Sequence, residues 1–179
     1  MPESTLAPHP SPEIIAKIFP ASGNVPNNPR LPLVIYRNAL PSGRRDLASE
    51  IEALYHDNGW GGAWRWSVFD FHHYHANAHE VLAVFSGTAR VQFGGEAGEA
   101  FDVSIGDVIL IPAGVGHKKL SAPDDFRVVG GYPGGQLPDM HRGDEVPVAG
   151  LLAEIERVAL PPFDPIYGAA GPLARLWRN

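Results

Sequence analysis

Asp70-Phe-His-His-Tyr-His-Ala-Asn-Ala-His-Glu-Val-Leu-Ala-Val-Phe-Ser-Gly87 is the stretch on which the reading of this 179-residue chain turns. It holds His72, His73, His75 and His79, half of the eight histidines of the sequence, and leads through Glu80 into the apolar run Val81 to Phe85. In extended chain successive side chains point to opposite faces, so His73 and His75 share one face while His72 and Tyr74 share the other. His73 and His75 therefore make a natural chelating pair. The short link Ala76-Asn-Ala78 lets the chain reverse, and Glu80, opening the next strand, then brings a carboxylate beside both imidazoles. His79 adjoins Glu80 and is expected to point the opposite way, and His72 is out of phase with the pair. Either could serve behind the ligands or at the entrance, and Tyr74 and His79 are the candidates for moving a proton.

A second ligand-bearing segment follows, Gly106-Asp-Val-Ile-Leu-Ile-Pro112-Ala-Gly114-Val-Gly-His117, in which a short strand runs into a proline and glycine turn that delivers one more histidine. Between the two segments, Thr88 to Phe93 and Glu99 to Ser104 read as a β-hairpin hinged on Gly94-Gly95. The expected ligand set is His73, His75, Glu80 and His117. A lone histidine on a strand is usually a core or surface residue, but four ligands in two spaced segments point to a metal. Imidazole suits first-row transition metals such as Fe, Mn, Ni, Cu and Zn, and one carboxylate hardens the site and cancels one unit of charge. The expectation is one divalent transition metal ion per chain, with open coordination positions for water, dioxygen or a bidentate ligand.

These residues carry a resemblance. His73-x-His75 with Glu80 and Gly87, and Gly106 with Pro112, Gly114 and His117, are similar to the two cupin motifs. Pro26-Asn-Asn-Pro29, Trp60 to Trp66, Gly131-Tyr-Pro-Gly-Gly-Gln136 and Asp164-Pro-Ile-Tyr-Gly168 extend the likeness to the YjlB-like bacterial cupins over nearly the whole chain. The resemblance implies an all-β fold, a cupin-type antiparallel double-sheet β-barrel or jelly roll with a few peripheral helices, together with a metal site and pairing as a homodimer. It implies no substrate. Ser67 stands where the first motif usually begins with glycine, and Ser121 where the second usually ends with asparagine; neither is an expected ligand.

Outward from the motifs, 44% apolar residues and 179 positions suit one domain with a real core. Twenty glycines and 18 prolines fit a turn-rich β protein. A net charge of −6 without a basic run gives no footprint for nucleic acid or an anionic membrane. The absence of cysteine removes disulfides, thiolate ligands and thiol nucleophiles. The first residues lack the basic start and apolar core of a signal peptide, and no stretch approaches the ~18 apolar residues of a membrane span, so a cytoplasmic protein is expected. Residues 1–12 read as a flexible tail, 13–160 as a single cupin domain and 161–179 as an aromatic arm wrapping the domain or a neighbour. Leu47, Ile51, Leu54 and Tyr55 recur at helical spacing before Gly59, and Leu151, Leu152, Ile155 and Val158 mark a second helix. Strand parity counted from Trp60 puts Arg65, Ser67, Phe69, Phe71 and His73 inside the barrel, with Leu82 and Val84 near the metal and Arg65 and Ser86 deeper. The run Val81 to Phe85, apolar on both faces, predicts a sheet covered outside by a second layer or a partner chain.

No phosphate-binding loop, nucleophile elbow or carboxylate dyad is present. Three readings of function follow: a dioxygenase-type oxidoreductase acting on a small organic molecule, slightly favoured; a non-redox isomerase or lyase; and a non-catalytic small-molecule binder.

Overall fold

Val81, Leu82, Ala83 and Val84 are apolar at consecutive positions, and the fold buries both faces of that run. The computed structural model describes residues 5–178. In chain order the strands are β1 (Glu13–Lys17), β2 (Leu33–Arg37), β3 (Trp60–Trp66), β4 (Glu80–Ser86), β5 (Thr88–Phe93), β6 (Glu99–Ser104), β7 (Val108–Ile111), β8 (His117–Ser121) and β9 (Arg127–Pro133). The helices are α1 (Leu47–Asp57), α2 (Ala149–Arg157) and α3 (Leu173–Leu176). A six-stranded sheet of order β1-β2-β7-β4-β9-β3 faces a three-stranded sheet of order β6-β5-β8. All ladders are antiparallel, as a jelly roll requires, but among the described residues the sheets do not join into one hydrogen-bonded barrel.

On the inner face Leu82 and Val84 pack with Ile109 and Ile111 of β7 and with Val91 and Phe93 of the facing sheet. On the outer face Val81 and Ala83 pack under Ile51, Leu54 and Tyr55 of α1 and under Ile166, Leu173 and Trp177 of the C-terminal arm. The second layer over β4 is thus supplied by the chain itself. Helix α1 forms where the periodicity predicts: the Asp46 carboxylate accepts from the Ser49 N–H at its start, and Gly59 leaves its end at φ +76°. The expected hairpin is β5 and β6, paired residue for residue from Thr88↔Ser104 to Phe93↔Glu99.

Three expectations are corrected. Of the tail over 1–12, residues 1–4 lie outside the described residues, while Leu6 is buried in the outer core and the His9 N–H donates to the Ala39 carbonyl at 2.8 Å. Parity along β3 fails because the strand stops at Trp66 and the chain bends at Asp70 and Phe71. Trp64 turns inward, and Arg65 turns out to the Glu52 carboxylate and the Ser49 hydroxyl on α1. His117, expected on a turn, opens β8, which pairs with β5; its Lys-rich sequence lacks the apolar alternation that marks a strand.

The arm is anchored by Asp164, which is 2% exposed. Its Oδ2 accepts from the Tyr36 hydroxyl at 2.6 Å and from the Leu173 N–H, and its Oδ1 from the N–H groups of Ile166 and Tyr167. Asp164→Ala leaves a buried hydroxyl and three N–H groups without this acceptor, and should cost about 3 kcal/mol. Urea unfolding measures that loss, and limited proteolysis should show the arm cut first.

Candidate metal centre

The bend after Trp66 aims the first ligand segment at β8. His73 forms a two-way backbone bridge with His117: the His73 N–H donates to the His117 carbonyl at 3.2 Å, and the His117 N–H donates back at 2.9 Å. This sets their rings 4.0 Å apart. His75 follows on the same side, and β4 presents Glu80 opposite Ile111. One ligand nitrogen from each of His73, His75 and His117 lies within 4.8 Å of the others, and all three residues are buried.

Hydrogen bonds determine which nitrogen faces inward. The Nδ1 of His73 donates to the Phe71 carbonyl at 3.1 Å, that of His117 to the Val115 carbonyl at 3.1 Å, and that of His75 to the Asp139 carbonyl. A carbonyl can only accept, so each Nδ1 carries the hydrogen and each Nε2 presents a lone pair. Glu80 Oε2 lies 3.3 Å from His75 Nε2 and 3.2 Å from His117 Nε2, and has no hydrogen-bond partner of its own. Its other oxygen accepts from the Tyr132 hydroxyl at 3.2 Å, which in turn accepts from the Trp64 indole N–H at 2.9 Å. Three imidazole lone pairs and a carboxylate lone pair turned toward one point suit a cation, and three nitrogens with one oxygen suit a divalent transition metal. The residues fit such an ion, and the cluster could hold it.

Residues 68–127 match the family described as Cupin domain. The chain is 46% identical over 159 residues to the uncharacterized protein YjlB of Bacillus subtilis, an alignment covering 89% of this chain and 93% of that protein. The chain belongs to the YjlB-like cupins. Solved structures similar to this cupin include procruciferin, an 11S globulin of Brassica napus (TM-score 0.37, 20% identity, 63% of this chain and 23% of that chain). Another is the acireductone dioxygenase of Bacillus anthracis with a cadmium ion in its active center (TM-score 0.36, 20% identity, 52% of this chain and 64% of that chain). The cupin thus spans about a quarter of the first protein's length and under two thirds of the second's.

Beside the cluster lies a cavity of about 240 Å³, walled mainly by Trp64, Trp66, Val68, Phe69, Leu82 and Met140. Of the apolar lining expected for this cupin Phe69 and Leu82 are present, while Phe71, Val84, Arg65 and Ser86 do not contribute to it. Phe71 stacks on Phe69 at 4.7 Å and lies beneath the Arg142 guanidinium. Both proton-moving candidates lie elsewhere. Tyr74 is buried on the far side of its strand, stacked on His141 at 5.1 Å. His79 is fully buried on the outer side with its ring 4.8 Å from that of Trp177; its Nδ1 accepts from the Ala113 N–H, and its Nε2 has no well-formed hydrogen bond. Each follows from alternation, since Tyr74 lies between His73 and His75, and His79 adjoins Glu80. His72 Nε2 contacts Glu96 at the surface, 2.8 Å away.

Sequence reading missed Tyr132 and Trp64. The signal for Tyr132 lies in β9, where Val128, Gly130 and Tyr132 share a face and Gly130 stands opposite Leu82. Gly130 is required there, because a Cβ would come within 2.1 Å of the Trp64 indole. The Asp139 carbonyl, 64 residues from His75, leaves no local signal.

Burial and the neighbouring His117 push the His73 imidazole down to about 3. Burial also lowers His79, to about 4. Burial works against charge on His75 as well, but the Glu80 carboxylate and the Asp139 carbonyl outweigh it and hold His75 above its ordinary value. Burial would raise Glu80, yet His75 and His117 hold it well below the usual carboxylate range. Above pH ~6.5 His73 and His79 are neutral whether folded or unfolded and cost nothing. Below it the unfolded chain binds protons that the folded chain refuses until pH reaches about 3 to 4, so stability falls. His75, whose folded value is raised, takes up its proton above pH ~6.5 and leaves the slope below that pH unchanged. Chelator-treated protein should therefore lose on the order of a few kcal/mol between pH 7 and pH 4.5, read by urea unfolding at a series of pH values.

Proposed function

We propose that this cupin holds one divalent transition metal ion on the Nε2 atoms of His73, His75 and His117 and on Glu80 Oε2, and uses it as an enzyme on a small organic molecule, with dioxygenase-type oxidation favoured. The observation that carries the reading is the convergence of four unpaired acceptors, each held by a partner on its other side. When bound, such an ion supplies Lewis acidity and, if it is iron, electron exchange with dioxygen. The chain's residues supply the rest. Backbone carbonyls keep the three imidazoles in one tautomer, Tyr132 leaves one Glu80 oxygen free, and Trp64, Val68, Phe69 and Leu82 keep water off the substrate body.

The isomerase or lyase reading requires a side chain that moves a proton on the substrate. Tyr74 and His79 face away, and the Tyr132 hydroxyl is engaged by Glu80 and Trp64. That favours oxidation over proton transfer. The deciding experiment loads metal-free protein separately with Fe(II), Mn(II), Ni(II) and Zn(II), then screens small diketones, hydroxy acids and sugars for oxygen uptake and for anaerobic turnover. Oxygen uptake with Fe(II) alone is expected. Turnover without oxygen would support the isomerase, and thermal stabilisation by a ligand without turnover under any metal would support the binder.

Tag-free protein should contain about one transition metal per chain, and His117→Ala should lose most of it by elemental analysis. Because His75 must shed a proton to ligate and holds it above the ordinary imidazole value, metal affinity should already be falling before pH drops to ~6.5. Tyr132→Phe removes the hydroxyl that orients Glu80 and should weaken metal binding by about 10- to 100-fold, measured by competition with a chromophoric chelator. Homodimer formation is part of the proposal. With the outer face of β4 already covered by α1 and the arm, the exposed apolar side chains open to it include Ile18, Val146, Val148 and Leu152. Light scattering at micromolar concentration should give twice the chain mass of 19.3 kDa.

A further inference from the structure

One cation on the inner face is used neither by the core nor by the candidate ligand set. Along β8, His117 stands opposite Phe93 and Lys119 opposite Val91. Phe93 and Val91 both belong to the core between the sheets, so Lys119 projects to the same side as His117. Lys119 is half-buried, and its ammonium donates to the Ser67 hydroxyl at 2.9 Å. Ser67 is itself buried and lines the cavity beside the metal centre. Among the described residues Arg37, Arg44, Arg65 and Arg90 each pair with a carboxylate, whereas Lys119 pairs with none. A half-buried ammonium with one hydroxyl partner has two donors unspent. A ligand carboxylate reaching this half-buried ammonium would gain a charge-assisted hydrogen bond beside the cavity.

We propose that Lys119 and Ser67 form the distal attachment point of the pocket. Its ligand is then a short organic dicarboxylic acid, with a chelating hydroxy- or oxo-carboxylate head at the cluster and a second carboxylate on the Lys119 ammonium. The inference rests on the metal reading above and adds the substrate class. Charge supports it. A divalent ion with three neutral imidazoles and the Glu80 carboxylate keeps one net positive charge, and Lys119 adds a second. The Asp139 carboxylate at the rim takes back one of these units, but it is turned to the Ala76 and Asn77 N–H groups and to His141 and forms no ion pair with Lys119. Length supports it as well. Two residues of strand separate His117 from Lys119 by about 7 Å, a span suited to a four- or five-carbon acid. The cavity of about 240 Å³ is smaller than the roughly 300–1,000 Å³ of drug-sized sites. Val68 and Leu82 would pack against the methylenes between the two ends.

The test compares 2-hydroxyglutarate with 2-hydroxypentanoate, which have the same carbon count and the same chelating head and differ in the distal carboxylate. The full chain is loaded with zinc, its zinc content is measured, and each acid is titrated by quenching of Trp64 and Trp66 fluorescence. Wild type should bind the dicarboxylate at least about tenfold more tightly, the scale of one charge-assisted hydrogen bond. Lys119→Met should erase that preference with zinc content unchanged, and Lys119→Arg should keep part of it. Should Lys119→Met fail to fold, Ser67→Ala carries the same test and should reduce the preference severalfold. Zinc bound at one per chain with no preference in wild type, with binding of neither acid, or with the preference intact in Lys119→Met overturns this inference alone. Failure of the loaded wild type to retain zinc overturns the metal reading, and this inference with it.

Discussion

Three hydrogen bonds from imidazole Nδ1 to backbone carbonyls are the interaction on which the site depends. A histidine alone can rotate and change tautomer, so four ligand types near one point do not make a metal centre. At His73, His75 and His117 a carbonyl fixes the hydrogen on Nδ1 and turns the Nε2 lone pair to the centre. Glu80 is treated the same way by Tyr132 and, through it, Trp64. Burial denies the cluster water, and its members respond to one another: Glu80 favours charge on His75, His75 and His117 favour it on Glu80, and burial with His117 disfavours it on His73.

The sheet around the cluster depends on a second constraint, the burial of both faces of β4. Only one face can meet the opposing sheet, and the other must be covered from elsewhere. The chain covers it with α1 and with the arm that Asp164 holds against Tyr36. His79 shows what this does to the site's neighbourhood. Its alternation with Glu80 sends it to the covered side, where its ring lies against Trp177 and its Nδ1 accepts from one backbone N–H. Adjacent residues of one strand thus take opposite roles, one carboxylate facing the cavity and one imidazole buried in structural packing.

The site was legible in the sequence where local rules governed it. Alternation places His73 with His75 and separates them from His72, Tyr74 and His79. The proline and glycine turn before His117 and the Gly94-Gly95 hinge stand where spacing puts them, and α1 has its cap and stop signals in the sequence. Legibility failed wherever the determinant was irregular or remote. Parity could not be carried across the bend at Asp70 and Phe71, so Arg65 and Trp64 were assigned to the wrong faces. β8 went unrecognised because His-Lys-Lys-Leu-Ser lacks alternation and forms a strand only by pairing with β5. Tyr132 lies on the closing strand, beyond both motifs.

The three imidazoles are not held alike, and the difference reaches the cavity. His73 and His117 each bond the carbonyl two residues upstream on their own segment, so those two orientations are set by the strand that bears them. His75 bonds a carbonyl 64 residues away, in the segment following β9. That segment also walls the cavity through Pro138, Asp139 and Met140. It is fastened to the ligand loop by reciprocal bonds: the Asp139 carboxylate accepts from the Ala76 and Asn77 N–H groups, and the Asn77 side chain accepts from the Asp139 N–H and donates to the Leu137 carbonyl. A movement of this wall that admits a ligand therefore also moves the acceptor that orients His75. Access to the cavity and the orientation of the imidazole are mechanically one variable at His75, whereas at His73 and His117 they are independent.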